Sequence, residues 1–191
     1  TISSLVEEKR LIRSRFWERP DQFVMSKDEY ITSFPYDEYD NERDNKSWKK
    51  LGLSFEKSDS ARDNGQWVIT NKRFTPGFYI IEITTKDKNG EDVKDVKYIE
   101  LFDEKSNKLN HADYLWTGVQ KTTVEPGETA KIELGTSAND LFVVHKIDKG
   151  RLQLTTTNYN FLRLSDEKKS FDFTINEIDR GGYGVSWMFV K

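Results

Sequence analysis

Residues 77–101, GFYIIEITTKDKNGEDVKDVKYIEL, decide the fold class. Two arms rich in β-branched and aromatic residues, 79–85 and 93–101, flank the segment 87–90, which ends in Asn-Gly. An Asn-Gly pair supplies the positive φ angles that a tight hairpin turn needs. The stretch therefore predicts an antiparallel β-hairpin.

The C-terminal half continues this pattern with short strands separated by turn residues. Residues 129–136 place Ala130, Ile132 and Leu134 at alternate positions, which is the period-two signature of a half-buried strand. A Glu-Pro-Gly-Glu turn at 125–128 precedes them. Together these runs predict a β-sandwich of about seven strands, with the other six at 119–124, 141–147, 152–157, 159–164, 170–175 and 183–190.

The N-terminal half predicts a second sandwich, completed by strands at 51–55, at 67–70 and within 2–16. A boundary fits best at 103–112, where a strand ends and a polar run follows. A chain of 191 residues is long enough for two small sandwiches. We therefore predict an all-β chain of two tandem antiparallel β-sandwich domains of the Ig-like kind, 1–105 and 106–191.

One short helix is predicted to be inserted in the first domain. Ser26 followed by Glu29 forms a capping box, and Met25 is placed to contact Tyr30 as a hydrophobic staple. Pro35 ends the helix, because a proline disfavours helical backbone in the residue before it.

The charge pattern argues against a nucleic-acid partner. The chain has 30 Lys and Arg against 33 Asp and Glu, and the two signs are interleaved. The nearest basic group is Lys169 with Arg163 and Lys168, which Asp166 and Glu167 dilute. We interpret this group as a solvated loop and not as the basic stripe of a nucleic-acid interface.

The chain contains no cysteine, which excludes disulfides, thiolate metal sites and an internal thioester within it. No apolar run approaches the roughly 20 residues that cross a bilayer, so no direct membrane insertion is predicted. A start at Thr1 and an end on the apolar run 188–190 favour a piece of a longer polypeptide.

The sequence assigns no catalytic, cofactor-binding or metal-binding residue. His111 falls in the predicted linker, and His145 falls within a strand, where we expect a packed residue. Neither has the companions that a metal site needs. The segment Asp87, Asn89, Asp92 resembles a calcium loop only in part, because the glycine comes too early and the bidentate glutamate is missing. We predict a non-enzymatic protein without cofactors.

The five tryptophans offer an alternative function. Trp17, Trp48 and Trp116 lie near loops or element ends and could form a platform for sugar rings. We expect Trp67 and Trp187 to be core residues of strands, and core packing is the favoured interpretation for the other three as well. A platform would make the chain a pair of glycan- or ligand-binding modules.

Residues 74–82, FTPGFYIIE, followed by the hairpin, resemble the end of a macroglobulin-like domain, in which a Pro-Gly-aromatic strand and a D-x-x-G hairpin close the sandwich. Residues 124–132, VEPGETAKI, are similar to the turn and strand that open another such domain, and 181–185 resemble its last strand. Residues 15–23 and 34–39 are similar to an insertion of large alpha-2-macroglobulin-like proteins of Bacteroides-type bacteria.

This resemblance implies non-catalytic structural modules of a broad-spectrum protease trap. Members of that family are cut in a bait segment and then enclose or covalently capture the protease. The Cys-Gly-Glu-Gln thioester motif of some members is absent here. The implied partners are neighbouring domains of a parent chain and the proteases that it meets. The implied location is periplasmic or at the cell surface. A lipoprotein is one form that the implied parent protein could take.

Overall fold

The computed structural model describes residues 1–58, 68–70, 74–119, 123–151, 154–180 and 182–191. The chain divides into two compact units. Unit 1 comprises Thr1–Arg10 and Ser14–Asp103, and unit 2 comprises Leu11–Arg13 and Glu104–Lys191. The paired strands of the described residues are antiparallel throughout, which confirms the all-β class.

Unit 1 is built on a four-stranded sheet in the order β2-β1-β3-β4. The strands are β1 Ile2–Leu5, β2 Lys50–Phe55, β3 Gly77–Lys86 and β4 Asp92–Leu101. The predicted hairpin is confirmed, since β3 and β4 pair from Gly77 opposite Leu101 to Lys86 opposite Asp92. The side chains of Ile2, Leu5, Tyr79 and Ile80 form the buried part of the sheet.

The hairpin turn uses the residues that resembled a calcium loop. Asp87 Oδ1 accepts hydrogen bonds of 2.8 Å from the amides of Asn89 and Glu91. Gly90 has a φ of 86°, a conformation that favours glycine. Because the Asp87 carboxylate satisfies turn amides, it acts as a structural residue.

The strand predicted at 67–70 is wrong for the residues that are described. Residues 68–70 belong to no strand, and Trp67 lies outside the described residues. The apolar pair Val68 and Ile69 is exposed, so it lacks the packing that would make a strand favourable. In the described residues, unit 1 therefore shows one sheet and not the two of a sandwich.

A helix, α1, spans Lys27–Ser33 in unit 1. The predicted capping box is confirmed, since the Glu29 amide donates to Ser26 Oγ at 3.4 Å and the Ser26 amide donates to Glu29 Oε2 at 3.0 Å. The helix ends before Pro35, with Phe34 as its C-cap. The same hydrogen bonds from Ser26 lower the pKa of the Glu29 carboxyl.

Unit 2 contains two three-stranded sheets that pack face to face. One sheet has the order β5-β6-β9 and the other the order β10-β7-β8. Its core cluster draws on both sheets, with Leu134 from β6 and Leu141, Val143 and Leu164 from β7 and β8, all fully buried. The strands are β5 Trp116–Val119, β6 Thr129–Thr136, β7 Leu141–Arg151, β8 Leu154–Leu164, β9 Glu167–Thr174 and β10 Tyr183–Val190.

Two predicted breaks in unit 2 are wrong. The break predicted after residue 147 lies within β7, which continues to Arg151, and the break predicted between residues 157 and 159 lies within β8, where Asn158 pairs with Ile147. Eleven consecutive pairs join the two strands, and this pairing overrides the low β propensity of Gly and Asn. The strand predicted at 119–124 lies earlier and ends in the described residues at Val119, while 120–122 lie outside them.

Candidate interaction surface

One end of the outer face of the sheet β10-β7-β8 is apolar. In β7, Leu141 and Val143 point into the core, so the alternate residues Phe142 and Val144 point outward. Strand register places Val190 beside Phe142, and Met188 and Phe161 on either side of Val144. We call these five side chains the outer patch: Phe142, Val144, Phe161, Met188 and Val190.

Most of the outer patch is open to solvent. Phe161 is 65% exposed, Val190 63% and Met188 59%, while Phe142 and Val144 are half-buried. The rings of Phe142 and Phe161 stack with their centroids 6.0 Å apart. An antiparallel sheet that faces water on one side normally carries polar residues there. A contiguous exposed apolar group in that place is a candidate interaction surface.

The charged groups that flank the outer patch are paired among themselves. Arg163 lies with its guanidinium carbon 6.0 Å from the Phe142 ring and forms an ion pair with Asp140. Lys146 Nζ lies 2.8 Å from Asp148 Oδ2, and hydrogen bonds from Lys146 and Thr157 lower the pKa of the Asp148 carboxyl. Because these charges are neutralised within the chain, the surface suits an apolar partner.

The opposite outer face of unit 2, on the sheet β5-β6-β9, is covered in part by the chain itself. Trp116 is only 6% exposed and lies over Gly118. Beneath it, Lys168 Nζ and Glu133 Oε2 lie 3.4 Å apart with both side chains buried. Lys168 Nζ is also 5.5 Å from the centre of the Trp116 ring. The part of this face around Trp116 is therefore closed by the chain, while Ser170 and Asp172 on the same face of β9 are exposed.

The interpretation of Lys169, Arg163 and Lys168 as a solvated loop is wrong. Arg163 lies in β8 and both lysines lie in β9. Lys168 is buried against Glu133, and Lys169 Nζ lies 3.4 Å from Glu167. The β6–β9 register places Lys168 opposite Gly135, close enough for its alkyl chain to pack there. The three residues do not form a basic patch.

The tryptophans do not gather into one platform in the described residues. Trp116 is buried, and Trp48 packs edge-to-face on Phe78 at 4.9 Å and donates from Nε1 to the Glu42 carbonyl. Trp187 is half-buried in the core of unit 2, which confirms the prediction for that residue. Trp17 alone among these four is mostly solvent-exposed.

His145 is a packed strand residue, as predicted. It is 3% exposed, stacks on Trp187 with ring centroids 5.2 Å apart, and meets the edge of Phe171 at 5.3 Å. Burial lowers the pKa of its imidazole. Its Nε2 and the Nε1 of Trp187 have no hydrogen-bond partner among the described residues. The site favours the neutral imidazole.

His111 is half-buried in the segment that precedes β5. The rings that contact His145 are those of Phe171, Phe173 and Trp187. Across the described ranges, no group of three or more His, Asp or Glu side chains is arranged to hold a metal ion. No helix there is both long and apolar enough to cross a bilayer.

Unit 1 has an open groove of about 450 Å³, whose lining includes Lys27, Glu42 and Trp48. Glu42 is buried, with Oε1 2.9 Å from Lys27 Nζ and 3.8 Å from Arg10. Burial by itself raises the Glu42 pKa, but hydrogen bonds from Lys27 and from the Asp40 amide outweigh it, so that the pKa lies below its ordinary value. These contacts give the Glu42 carboxylate a structural role, because it links Lys27 and Arg10.

The outer patch was missed from the sequence, although a signal for it exists. Residues 141–147, LFVVHKI, begin as an unbroken apolar run, which is typical of a strand covered on both faces. The alternate residues Leu141, Val143, His145 and Ile147 share the inward face of this strand. Phe142 and Val144 fall out of that phase and form the centre of the patch.

No known protein family, no curated protein and no solved structure matches the chain.

Proposed function

We propose that this chain supplies non-catalytic structural modules of a larger extracytoplasmic protein of the alpha-2-macroglobulin type, a protease trap. The observation that carries the proposal is the outer patch. A structural module of such a protein must bury apolar surface against the neighbouring domains. The exposed Phe161, Met188 and Val190 provide that surface.

The non-catalytic part of the proposal is supported by the use of the buried ionisable side chains. Glu42 is tied to Lys27, Glu133 is tied to Lys168, and His145 is enclosed by aromatic rings. Each of these groups makes a contact that stabilises its own unit. The protease-trap part rests on the resemblance of residues 74–101 and 124–132 to macroglobulin-like domains.

The alternative, a glycan-binding pair of modules, draws less support. Trp116 would have to face solvent, and it is buried over Gly118 and Lys168. Trp48 is half-buried on Phe78. Of Trp17, Trp48 and Trp116, this leaves Trp17 as the side chain with the most exposed ring.

The test uses the full-length protein that contains this chain. It is incubated with a broad-specificity protease, and cleavage of a large protein substrate is compared with cleavage of a small peptide. We expect the first activity to fall at least tenfold while the second is retained, because an enclosed protease still admits peptides. If both activities are unchanged across several proteases, the trap proposal fails.

A pair of variants links the result to the outer patch. The double change Phe161→Lys and Met188→Lys places two charges on the patch, and we expect it to restore cleavage of the large substrate. Ile178→Lys is the matched control, because Ile178 is also an exposed apolar residue of unit 2 but lies in the 3₁₀ turn Glu177–Asp179. The control is expected to inhibit as the unmodified protein does.

A further inference from the structure

Residues 11–13 belong to unit 2, although the residues on either side of them belong to unit 1. Leu11 packs against the core cluster of unit 2 that contains Leu141. Its neighbour Ile12 is only 6% exposed. Residues 6–26 are all described and contain neither a helix nor a strand. Unit 2 thus takes part of its core from a short irregular segment, residues 11–13, which we call the strap.

The residue before the strap is fixed by contacts within unit 1. Arg10 Nη1 donates a hydrogen bond to the carbonyl of Pro35 at 3.2 Å, and Arg10 Nη2 lies 3.8 Å from Glu42 Oε1. The side chains of Arg10 and Glu42 are 22% and 7% exposed. Solvent therefore screens this charge pair less than it screens a pair on the open surface.

The residues after the strap are fixed to the same stretch of unit 1. Arg15 Nη2 donates hydrogen bonds to the carbonyls of Glu38, at 3.3 Å, and of Asp40. The Arg15 side chain is only 9% exposed. Residues 35–42, which we call the anchor segment, therefore fix the chain on both sides of the strap.

Anchoring on both sides favours the packing of the strap in unit 2. Fixing the backbone of a free residue carries a cost in conformational entropy. Because the anchor segment already orders Arg10 and Arg15, only the residues between them remain to be ordered when Leu11 packs on the core cluster. Without the anchors, that cost would extend to the irregular residues on either side of the strap.

We propose that residues 11–13 form a releasable strap of unit 2, whose packing is controlled by the contacts of Arg10 and Arg15 with the anchor segment. While these contacts hold, Leu11 completes the core of unit 2. Displacement of the anchor segment, by a proteolytic cut or by a bound protein, frees the strap and loosens unit 2. This conformational device does not depend on the protease-trap proposal.

The test is amide hydrogen exchange of the 191-residue chain. Residues 141–147, in the middle strand β7, report on unit 2, and residues 79–83, in the inner strand β3, report on unit 1. The double variant Arg10→Gln and Arg15→Gln removes both guanidinium anchors. We expect residues 141–147 to exchange about tenfold faster in this variant, with residues 79–83 within about twofold of the unmodified chain.

Arg19→Gln is the matched control for the anchor variant. Arg19 also forms an ion pair with the anchor segment, through Asp40 Oδ1, but it does not adjoin the strap. We expect this variant to leave the exchange of residues 141–147 within about twofold of the unmodified chain.

Leu11→Ala removes the strap side chain and leaves the anchors in place. It should also speed the exchange of residues 141–147 about tenfold or more, because it takes away an apolar side chain that packs on the core. Phe16→Ala is its control, since Phe16 lies close in sequence but is 88% exposed. Adding the two arginine changes to Leu11→Ala should have little further effect, because the anchors act through Leu11.

Unchanged exchange of residues 141–147 in the double arginine variant would overturn the inference, because the strap would then pack without its anchors. Equal acceleration of residues 79–83 and 141–147 would also overturn it, because the loss would then be general. The third contrary result is full additivity of Leu11→Ala with the arginine changes. The arginines would then affect unit 2 by a route other than the strap.

Discussion

The two outer faces of unit 2 belong to sheets of three strands each, but they differ in how far the chain covers them. On the sheet β5-β6-β9, Trp116 and Leu109 lie over Gly118 and Gly135, and the ion pair of Glu133 and Lys168 is enclosed. On the sheet β10-β7-β8, the outer patch is left open. The first face shows that this chain can cover an outer face with its own residues.

The difference between the two faces indicates which residues the proposed contacts would use. Apolar residues on a covered face contribute more to the stability of the unit than apolar residues on an open face, because more of their surface is removed from water. The exposed Phe161, Met188 and Val190 are therefore the side chains that the proposed contacts outside the unit would bury. Substitutions on the two faces should separate these roles.

The largest expected effect is on the covered face. Trp116→Ala should lower the free energy of unfolding of unit 2 by about 3 to 5 kcal/mol, because it removes a buried ring. Phe161→Ala on the open face should change it by less than about 0.5 kcal/mol. Urea unfolding followed by far-UV circular dichroism measures both. Equal losses in the two variants would erase the distinction between the faces.

A glycine on each face gives a second comparison. A Cβ at Gly118 would lie 2.3 Å from the Trp116 ring, so Gly118→Ala should cost about 1 to 3 kcal/mol through overpacking. At Gly184, on the open face of β10, the nearest atom to a new Cβ is Asp148 Cβ at 3.6 Å, which is an ordinary contact. Gly184→Ala should therefore be tolerated in the same urea titration.

Much of this architecture could be predicted from local sequence. The Asn-Gly turn with its two arms specified the β3–β4 hairpin, and Ser26 with Glu29 specified the start of α1. Both depend on residues close in sequence, where turn and capping chemistry is strong. The continuity of β8 through Asn158 depends on its pairing with β7, which no local pattern displays.

The candidate surface was harder to predict, because exposure depends on what covers a strand. The residues FVV within β7 fit a strand buried on both faces equally well. For Lys168 the error is the opposite one: its charged sequence neighbours predict a solvent-exposed side chain. In the structure, Glu133 and Trp116 enclose it. Whether a residue is buried by segments distant in sequence depends on the tertiary structure, and the local sequence does not display it.

The core between the two faces should respond to pH through His145. Burial lowers the pKa of this imidazole below its ordinary value of 6.5, so folding favours the neutral form. The resulting stability is full above pH 6.5 and is lost progressively as the pH falls below it. His145→Phe should remove this loss, because phenylalanine suits the surrounding aromatic rings. A parallel decline in both proteins between pH 7 and 5 would contradict the assignment.

The smallest effect is expected in unit 1, at a lower pH. Hydrogen bonds from Lys50 and Lys94 lower the pKa of Glu82 from 4.5 to about 2. This carboxylate contributes stability above pH 4.5 that is lost as the pH falls toward 2. Glu82→Gln should flatten the loss in that range and leave the decline below pH 6.5 unchanged. Thermal unfolding from pH 7 to 2 separates the two, and identical curves would contradict the role of Glu82.

The most direct test of the central claim is hydroxyl-radical footprinting of the full-length protein and of the 191-residue chain. The side chains compared are Phe161 and Met188 in the outer patch and Tyr36, an exposed residue of unit 1, as the reference. The account predicts that oxidation of Phe161 and Met188, relative to Tyr36, falls at least threefold in the full-length protein. Equal relative oxidation in the two samples would contradict it, because the outer patch would then be open in the assembled protein.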